Sequence, residues 1–438
     1  MYTPRFTAFL CVIAFYFCFQ TGYSQVSKNG AFTFTISTQS RTSAGVYQTD
    51  STLIRTLWSD SLMLAGTYTR YWDGKDDFGK SISSPDANYM IRVVSNNVNY
   101  TWDGIIGNTS KSNTGSTVHK GYYTSMTGMA IAGSTAFFCQ GYSEGYSSQA
   151  KFNIANPQVR LDLNGFGGRQ STANVDFVAT DGTNVYWAGY NAYQLAVSSI
   201  VTATAVSNDA QVSFGANGTS YTMTSLTNAK TYTSVLDLIT GNVSARPTGL
   251  AVQVSGSCLF VAHGGTNELH VFNKTTGALM QNLSISNPRG LAVEGNNLWM
   301  VSGTSTLAKY TVNVNGALSP ATLTLSGITT PGAIAVDAGE ISVIDAGTTQ
   351  VVRFYNTTSG TQGTQLGTMG GYFTDATVTN TKFLFDDYRG NQYGFLAYAP
   401  DGSFWVGDVG NYRELHFSAA KGYLEYIMSL GANYEVFV

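Results

Sequence analysis

Apolar and polar residues alternate with a period of two along most of this chain. Almost nowhere do they follow the 3.6-residue period of a helix. Between residues 25 and 97 the alternating stretches are AFTFTIS (31–37), SAGVYQ (43–48), LIRTLW (53–58), GTYTRYW (66–72) and NYMIRVVS (88–95). Successive side chains on a strand point to opposite faces, so each stretch reads as a strand with one face buried. Five short strands separated by turn residues predict a small β-sandwich over 25–105. The stretch NTSKSNTGST (108–117) is polar and nearly free of apolar residues, and 106–119 reads as a linker.

From residue 120 to 438 the pattern repeats. A short apolar run, a tight turn and a second apolar run ending in Gly recur as GMAIAGSTAFFCQG (128–141), VDFVATDGTNVYWAG (175–189) and GLAVQVSGSCLFVAHGG (249–265). They recur again as GLAVEGNNLWMVSG (290–303), GAIAVDAGEISVIDAG (332–347) and GFLAYAPDGSFWVGDVG (394–410). Gly249 and Gly290 are 41 residues apart, and Gly290 and Gly332 are 42 apart. That is the period of a four-stranded propeller blade. Longer gaps call for insertions near 205–245 and 361–392. Each blade has two apolar faces that it cannot bury alone, and stacking blades round an axis covers both. The expected fold is therefore all-β: a small Ig-like sandwich, then a β-propeller of about six or more four-stranded blades. NYEVFV (433–438) reads as a last strand, which either closes the ring or leaves it incomplete.

Composition narrows the functional classes. The net charge is −3 and only 11% of residues are charged, which gives no electrostatic case for nucleic-acid binding. Arg5 followed by the twelve apolar residues Ala8–Phe19 reads as a bacterial export signal over 1–24, too short to span a bilayer, with cleavage near Ser24-Gln25. No later segment is apolar enough to cross a membrane, so the mature chain is expected to be secreted or held at the cell surface. With Cys11 and Cys18 in the signal, Cys139 and Cys258 remain, and they read as two buried free thiols.

The candidates for chemistry are sparse. GYSEG (141–145) fits G-x-S-x-G, but no helical pattern follows it, so it reads as a blade loop. RYWDGKDDFGK (70–80) carries six charges in eleven residues. Read as a calcium loop from Asp73, it has Lys75, Phe78 and Ser84 where ligands or a glycine are needed. Neighbouring Asp76 and Asp77 diverge on an extended chain, as do Asp386 and Asp387. His119, His263, His270 and His416 form no metal-ligand spacing. His270 with Glu268 reads as a solvated pair, and His263 as a loop residue able to reach a ligand. Trp187, Trp299 and Trp405 are expected to fill space between blades. Long loops on a rigid scaffold carry binding sites, so Asp386, Asp387, Tyr388, Arg389 and Tyr393 in the 373–393 insertion are candidate ligand contacts. Tyr190, Tyr193 and His263 at blade ends join them, since aromatic faces beside amides and carboxylates suit sugars and peptides. No catalytic residue, metal site or cofactor is expected, and a calcium ion in an irregular loop stays open.

Two resemblances follow from quoted residues. DGSFWVGDVGNYRELHF (401–417) resembles an NHL repeat, with Asp401-Gly402 in its turn and Asp408, Asn411 and Arg413 in its Asp-x-x-Asn-x-Arg motif. The resemblance implies that these last three brace one blade against its neighbour. The other repeats keep less of the pattern; Asp345 keeps the Asp alone. Residues 43–82 are similar to the Ig-like domain named after the flagellar hook-capping protein FlgD, whose Trp-Asp-Gly-x-Asp-x-x-Gly signature is here Trp72, Asp73, Gly74, Asp76 and Gly79. That family implies an accessory module on exported bacterial proteins. The expected function is non-catalytic binding or display, through propeller loops, of a glycan, peptide or protein partner at the cell surface. The alternatives are a propeller enzyme acting on extracellular polysaccharide, as hydrolase or lyase, and a structural adaptor of a surface assembly.

Overall fold

The computed structural model describes residues 22–26, 30–82, 89–98, 117–121, 125–141, 147–163, 173–191, 198–224, 229–375, 379–386 and 394–431. The chain divides into two compact units, Met1–Trp102 and Asp103–Val438. Among the described residues there is no α-helix, only strands and short 3-10 turns.

The first unit holds β1 (Gly22–Val26), β2 (Ala31–Ile36), β3 (Ser40–Tyr47), β4 (Leu53–Met63), β5 (Gly66–Tyr71) and β6 (Tyr89–Asn96). One antiparallel sheet runs β1-β6-β3-β4 and a second is the β2-β5 pair. Alternation decides the core. On β2, Phe32, Phe34 and Ile36 are buried while Ala31, Thr33 and Thr35 face out. They pack on Ala44, Val46, Tyr89, Ile91 and Val93 from the other sheet. The expected cleavage point at Ser24-Gln25 falls inside β1; residues 1–21 of the expected signal lie outside the described residues.

The charged stretch 70–80 is a turn built around one core tryptophan. Trp72 is buried edge-on against Tyr89, and its indole N–H donates to the Lys75 carbonyl at 2.9 Å. Asp73 Oδ1 accepts from the Lys75 N–H at 3.1 Å, an Asx turn. Asp76 Oδ1 accepts from the N–H groups of Phe78 and Lys80. Gly74 and Gly79 adopt positive φ. The carboxylates are occupied by their own backbone, and Asp77 turns away to cap Thr56 N–H.

The second unit opens with β7 (Thr117–Gly121). The last residues of the expected linker are thus part of a strand. Blade one is β8 (Gly128–Ala132), β9 (Thr135–Cys139), β10 (Gln149–Asn153) and β11 (Asn156–Asp162). Blade two is β12 (Ala173–Thr180), β13 (Asn184–Asn191), β14 (Ser198–Ala205), β15 (Thr219–Thr224) and β16 (Ala229–Thr240), in the order β12-β13-β14-β16-β15. Blade three is β17 (Gly249–Val252), β18 (Cys258–His263), β19 (Glu268–Asn273) and β20 (Leu279–Ser284). Blade four is β21 (Arg289–Glu294), β22 (Asn297–Ser302), β23 (Thr306–Val312) and β24 (Leu318–Ala321). Blade five is β25 (Pro331–Asp337), β26 (Glu340–Asp345), β27 (Val351–Asn356) and β28 (Gln362–Leu366). Blade six is β29 (Leu396–Tyr398), β30 (Phe404–Asp408), β31 (Arg413–Phe417) and β32 (Tyr423–Gly431), with β7 added parallel to β32.

The first strands of the blades touch in a closed ring, β8 to β12, β17, β21, β25, β29 and back to β8. This is a six-bladed β-propeller. The residues of 433–438 lie outside the described set; β7, from the start of the unit, supplies the extra strand of blade six. Each junction has its own apolar cluster, and the strand period assigns residues to opposite junctions. On β13, Trp187 packs toward blade one and Tyr186 toward blade three. On β9, Phe137 faces blade two and Phe138 faces blade six. Trp299 and Trp405 likewise fill interblade space and are almost wholly buried. Each such side chain contributes about 1.5–3 kcal/mol or more of burial. Cys139 and Cys258 are buried free thiols in blades one and three.

Candidate functional site

The recurring glycines converge. A cavity of about 490 Å³ lies where the innermost strands begin, and its walls include Gly128, Gly249, Gly290, Gly332 and Gly394, five of the six repeat starts. Met129, Phe177, Leu250, Leu291, Ile334 and Phe395 add an apolar lining from all six blades. The need for glycine is steric. A Cβ on Gly290 would stand 2.6 Å from the Gly332 carbonyl oxygen of the next inner strand, and Gly290 has a φ of +35°. At the rim Arg289 donates to the carbonyls of Gly303 and Thr304 and Asn287 donates to Gly303. Among the described lining residues Arg289 is the one ionisable side chain.

The same end of the propeller carries second-strand termini that hold the chain as it enters blades three, five and six. In blade six Asp408 accepts from Leu384 N–H at 2.6 Å, from the Asn411 amide at 2.9 Å and from Arg413 Nε at 2.7 Å. Arg413 goes on to the carbonyls of Thr379 and Lys382. Asp408, Asn411 and Arg413 therefore pin the segment that leads from blade five into blade six. Blade five repeats this: Asp345 accepts from Thr329 and Thr330 N–H and pairs with Arg353 at 2.8 Å. The spacing conceals the likeness, since Arg413 follows its Asp by five residues and Arg353 by eight.

In blade three that position is His263. It is the last residue of β18 and fully buried, which corrects its expected place on a blade-end loop. Its Nδ1 lies 2.9 Å from the Ala245 carbonyl, in the segment entering blade three. A carbonyl only accepts, so Nδ1 carries the proton. His270 lies opposite Val261, two residues before His263, as Arg353 lies opposite Val343, two before Asp345. His270 is buried as well, so it is not a solvated partner of Glu268, whose carboxylate lies 3.9 Å away.

The third member comes from the neighbouring blade. Asp237 on β16 places one carboxylate oxygen 2.6 Å from His263 Nε2 and the other 2.6 Å from His270 Nδ1. The β14-β16 register slips between Ser199 and Val201, and within that bulge Asp237 holds a φ of +52°. Bulges of this kind re-aim a side chain. Burial acts to lower the His263 pKa, but the hydrogen bond and charge of Asp237 outweigh it and hold it raised. Burial likewise opposes ionisation of Asp237, and its bonds to His263 and His270 prevail and keep its pKa low. Sequence reading missed Asp237 because no spacing links it to either histidine.

A second array has the order hydroxyl, imidazole, carboxylate. His416 Nε2 is 3.0 Å from Ser403 Oγ and its Nδ1 is 3.1 Å from Glu425. Ser403 is buried, however, and its hydroxyl donates to Asp401 at 2.6 Å. His416 is stacked flat on Trp405. These groups brace the Asp401-Gly402 hairpin.

The other expected contacts scatter. Asp386 accepts from the Gln350 amide at 2.7 Å. Tyr190 lies under the Arg246 guanidinium, 4.0 Å from its ring centroid, with its hydroxyl bonded by Asn174. Asp387, Tyr388, Arg389, Tyr393 and Tyr193 lie outside the described residues, as does most of GYSEG.

No protein-family model and no curated protein matches the chain. Among solved structures it is similar to a chain of a nidogen/laminin complex, at 11% identity and a TM-score of 0.40, over 70% of this chain and 93% of that one. A chain of a mitotic checkpoint complex aligns at 12% identity and 0.39, over 76% and 98%.

Proposed function

We propose that this is an exported bacterial protein that binds and displays, without catalysis, and that takes a peptide or glycan segment of a surface partner at the mouth of its propeller channel. The observation that carries the reading is the wall of the 490 Å³ cavity: glycine backbone and apolar side chains from six blades, with Arg289 engaged by two carbonyls. A concave, mostly apolar site with a few polar groups at its rim suits recognition. Export is supported by Arg5 and the apolar run Ala8–Phe19. No helix among the described residues is long and apolar enough to cross a membrane.

The test is a peptide and glycan array probed with the full chain and with Thr304→Trp. Thr304 is exposed on the cavity rim, so the indole blocks the mouth without entering the core. Hits of the parent chain should lose at least about tenfold in affinity in the variant, a change of about 1.4 kcal/mol, at unchanged melting temperature. Equal binding by both proteins would move the site elsewhere, and turnover of a bound glycan would establish an enzyme.

A further inference from the structure

We infer that Asp237, His263 and His270 form a binding site for one divalent transition-metal ion of the zinc class, which clamps blade two onto blade three. Their donor atoms lie within 4.8 Å of one another. Two imidazole nitrogens and a carboxylate oxygen are a borderline donor set, suited to Zn2+ and its neighbours and unlike the all-oxygen sets of calcium and magnesium.

The hydrogen bonds argue for a cation at the centre. His263 commits its Nδ1 proton to Ala245, so its Nε2 faces the Asp237 carboxylate, whose oxygens only accept, and the two are joined through a cation, either a second proton on the ring or a metal ion. A proton accounts for the 2.6 Å contact as it stands; a zinc-class ion about 2 Å from each donor would take that proton's place and part the two atoms to about 3 Å. His270 is left unsatisfied on its other side. If its Nδ1–H bonds to Asp237, its Nε2 is left as a buried lone pair without a partner, facing the Glu268 carboxylate. A metal on His263 Nε2 and His270 Nδ1 replaces the His263 proton and frees His270 to carry its own proton on the buried Nε2. The proton of His270 then sits on Nε2, pointing at Glu268, while that of His263 stays on the Ala245 carbonyl. Outer N–H groups aimed at a carbonyl and a carboxylate are the usual support of metal-binding histidines.

The backbone is arranged for the same end. Asp237 sits in a bulge at positive φ, a conformation that costs about 1–3 kcal/mol for a residue other than glycine. Its reward is the placement of one carboxylate between two rings of the next blade. Where blades five and six close the equivalent position with an Asp–Arg pair of their own, blade three uses two histidines and borrows its acid from blade two. The site also adjoins the channel mouth. Gly264, next to His263, donates to Thr248 Oγ1, and Thr248 lines the cavity.

The tag-free full chain, stripped with a chelator and dialysed, is titrated with Zn2+ by calorimetry and with Co2+ by visible absorption. About one equivalent should bind at micromolar protein, with the d–d bands of a nitrogen/oxygen site, and the melting temperature should rise; magnesium and calcium should give no such signal. His270→Gln and Asp237→Asn should each weaken binding more than about 100-fold, beyond the loss expected of an outer-shell change. His416→Gln, remote from the cluster, should bind as the parent does. Should either cluster variant fail to fold, histidine side-chain 15N spectra of the parent decide, since Zn2+ must shift His263 Nε2 and His270 Nδ1. Absence of Zn2+ and Co2+ binding, unchanged affinity in the folded variants, or shifts confined to other histidines would overturn the site.

Discussion

At the scale of single residues, several of the propeller's charges lie under the surface. Asp408 and Arg413 are almost fully buried and share a short contact, with Asn411 and the Leu384 N–H completing the shell of the carboxylate. Removing one partner of such a pair strands the other charge in a low dielectric, which is far costlier than losing an exposed pair. Arg413→Met is therefore expected to cost about 3–5 kcal/mol, seen as a lower midpoint of denaturant unfolding followed by circular dichroism. Lys421→Met, whose partner Glu340 is partly exposed, should change that midpoint little. The turn roles of Asp73 and Asp401 were readable from sequence, because an aspartate beside a glycine bonds to backbone two residues on. The role of Asp237 was not, since its partners lie 26 and 33 residues on, in another blade.

At the scale of elements, the strand period did most of the work. A two-residue alternation assigns each side chain to one of two blade junctions, so neighbours such as Tyr186 and Trp187 can both be large and both be buried. The glycines that open the repeats answer a different need, the close approach of the inner strands at the channel. Gly290→Ala should destabilise by about 1–3 kcal/mol, since its Cβ meets the Gly332 carbonyl and its backbone is at positive φ. The check is a thermal melt against the parent chain. The long gap near 205–245 proved to be the β15-β16 hairpin, which extends blade two and brings Asp237 into place.

At the scale of the whole molecule, closure of the ring rests on more than the added strand β7. Glu414 on β31 is fully buried, accepts from Ser429 Oγ on β32, and accepts from the Met126 N–H in the segment entering blade one. Ser125 donates to the Val409 carbonyl beside it. Burial, with the charge of Asp408 adding to it, pushes the Glu414 pKa from its ordinary 4.5 up to about 8. The folded state thus keeps a proton that the unfolded chain releases near 4.5. Stability from this group is complete below that value and is lost progressively as pH rises toward 8. The melting temperature of the parent should fall across that window by more than that of Glu414→Gln. The two proteins should differ most at pH 8 and above, where an amide spares the junction a buried charge. Parallel melting profiles from pH 5 to pH 9 would contradict this.

What the sequence determined alone is what local physics sets: strands from alternation, turns from Asp-Gly and glycine, the blade repeat from its 41- and 42-residue period, and burial of the interblade tryptophans. The tertiary structure decided whatever depends on residues distant in the chain coming to one point. Glycines of separate repeats became one cavity wall, β7 joined β32, and an aspartate of blade two met two histidines of blade three. No period records such meetings, because ring closure and a bulge set them, and both act through space.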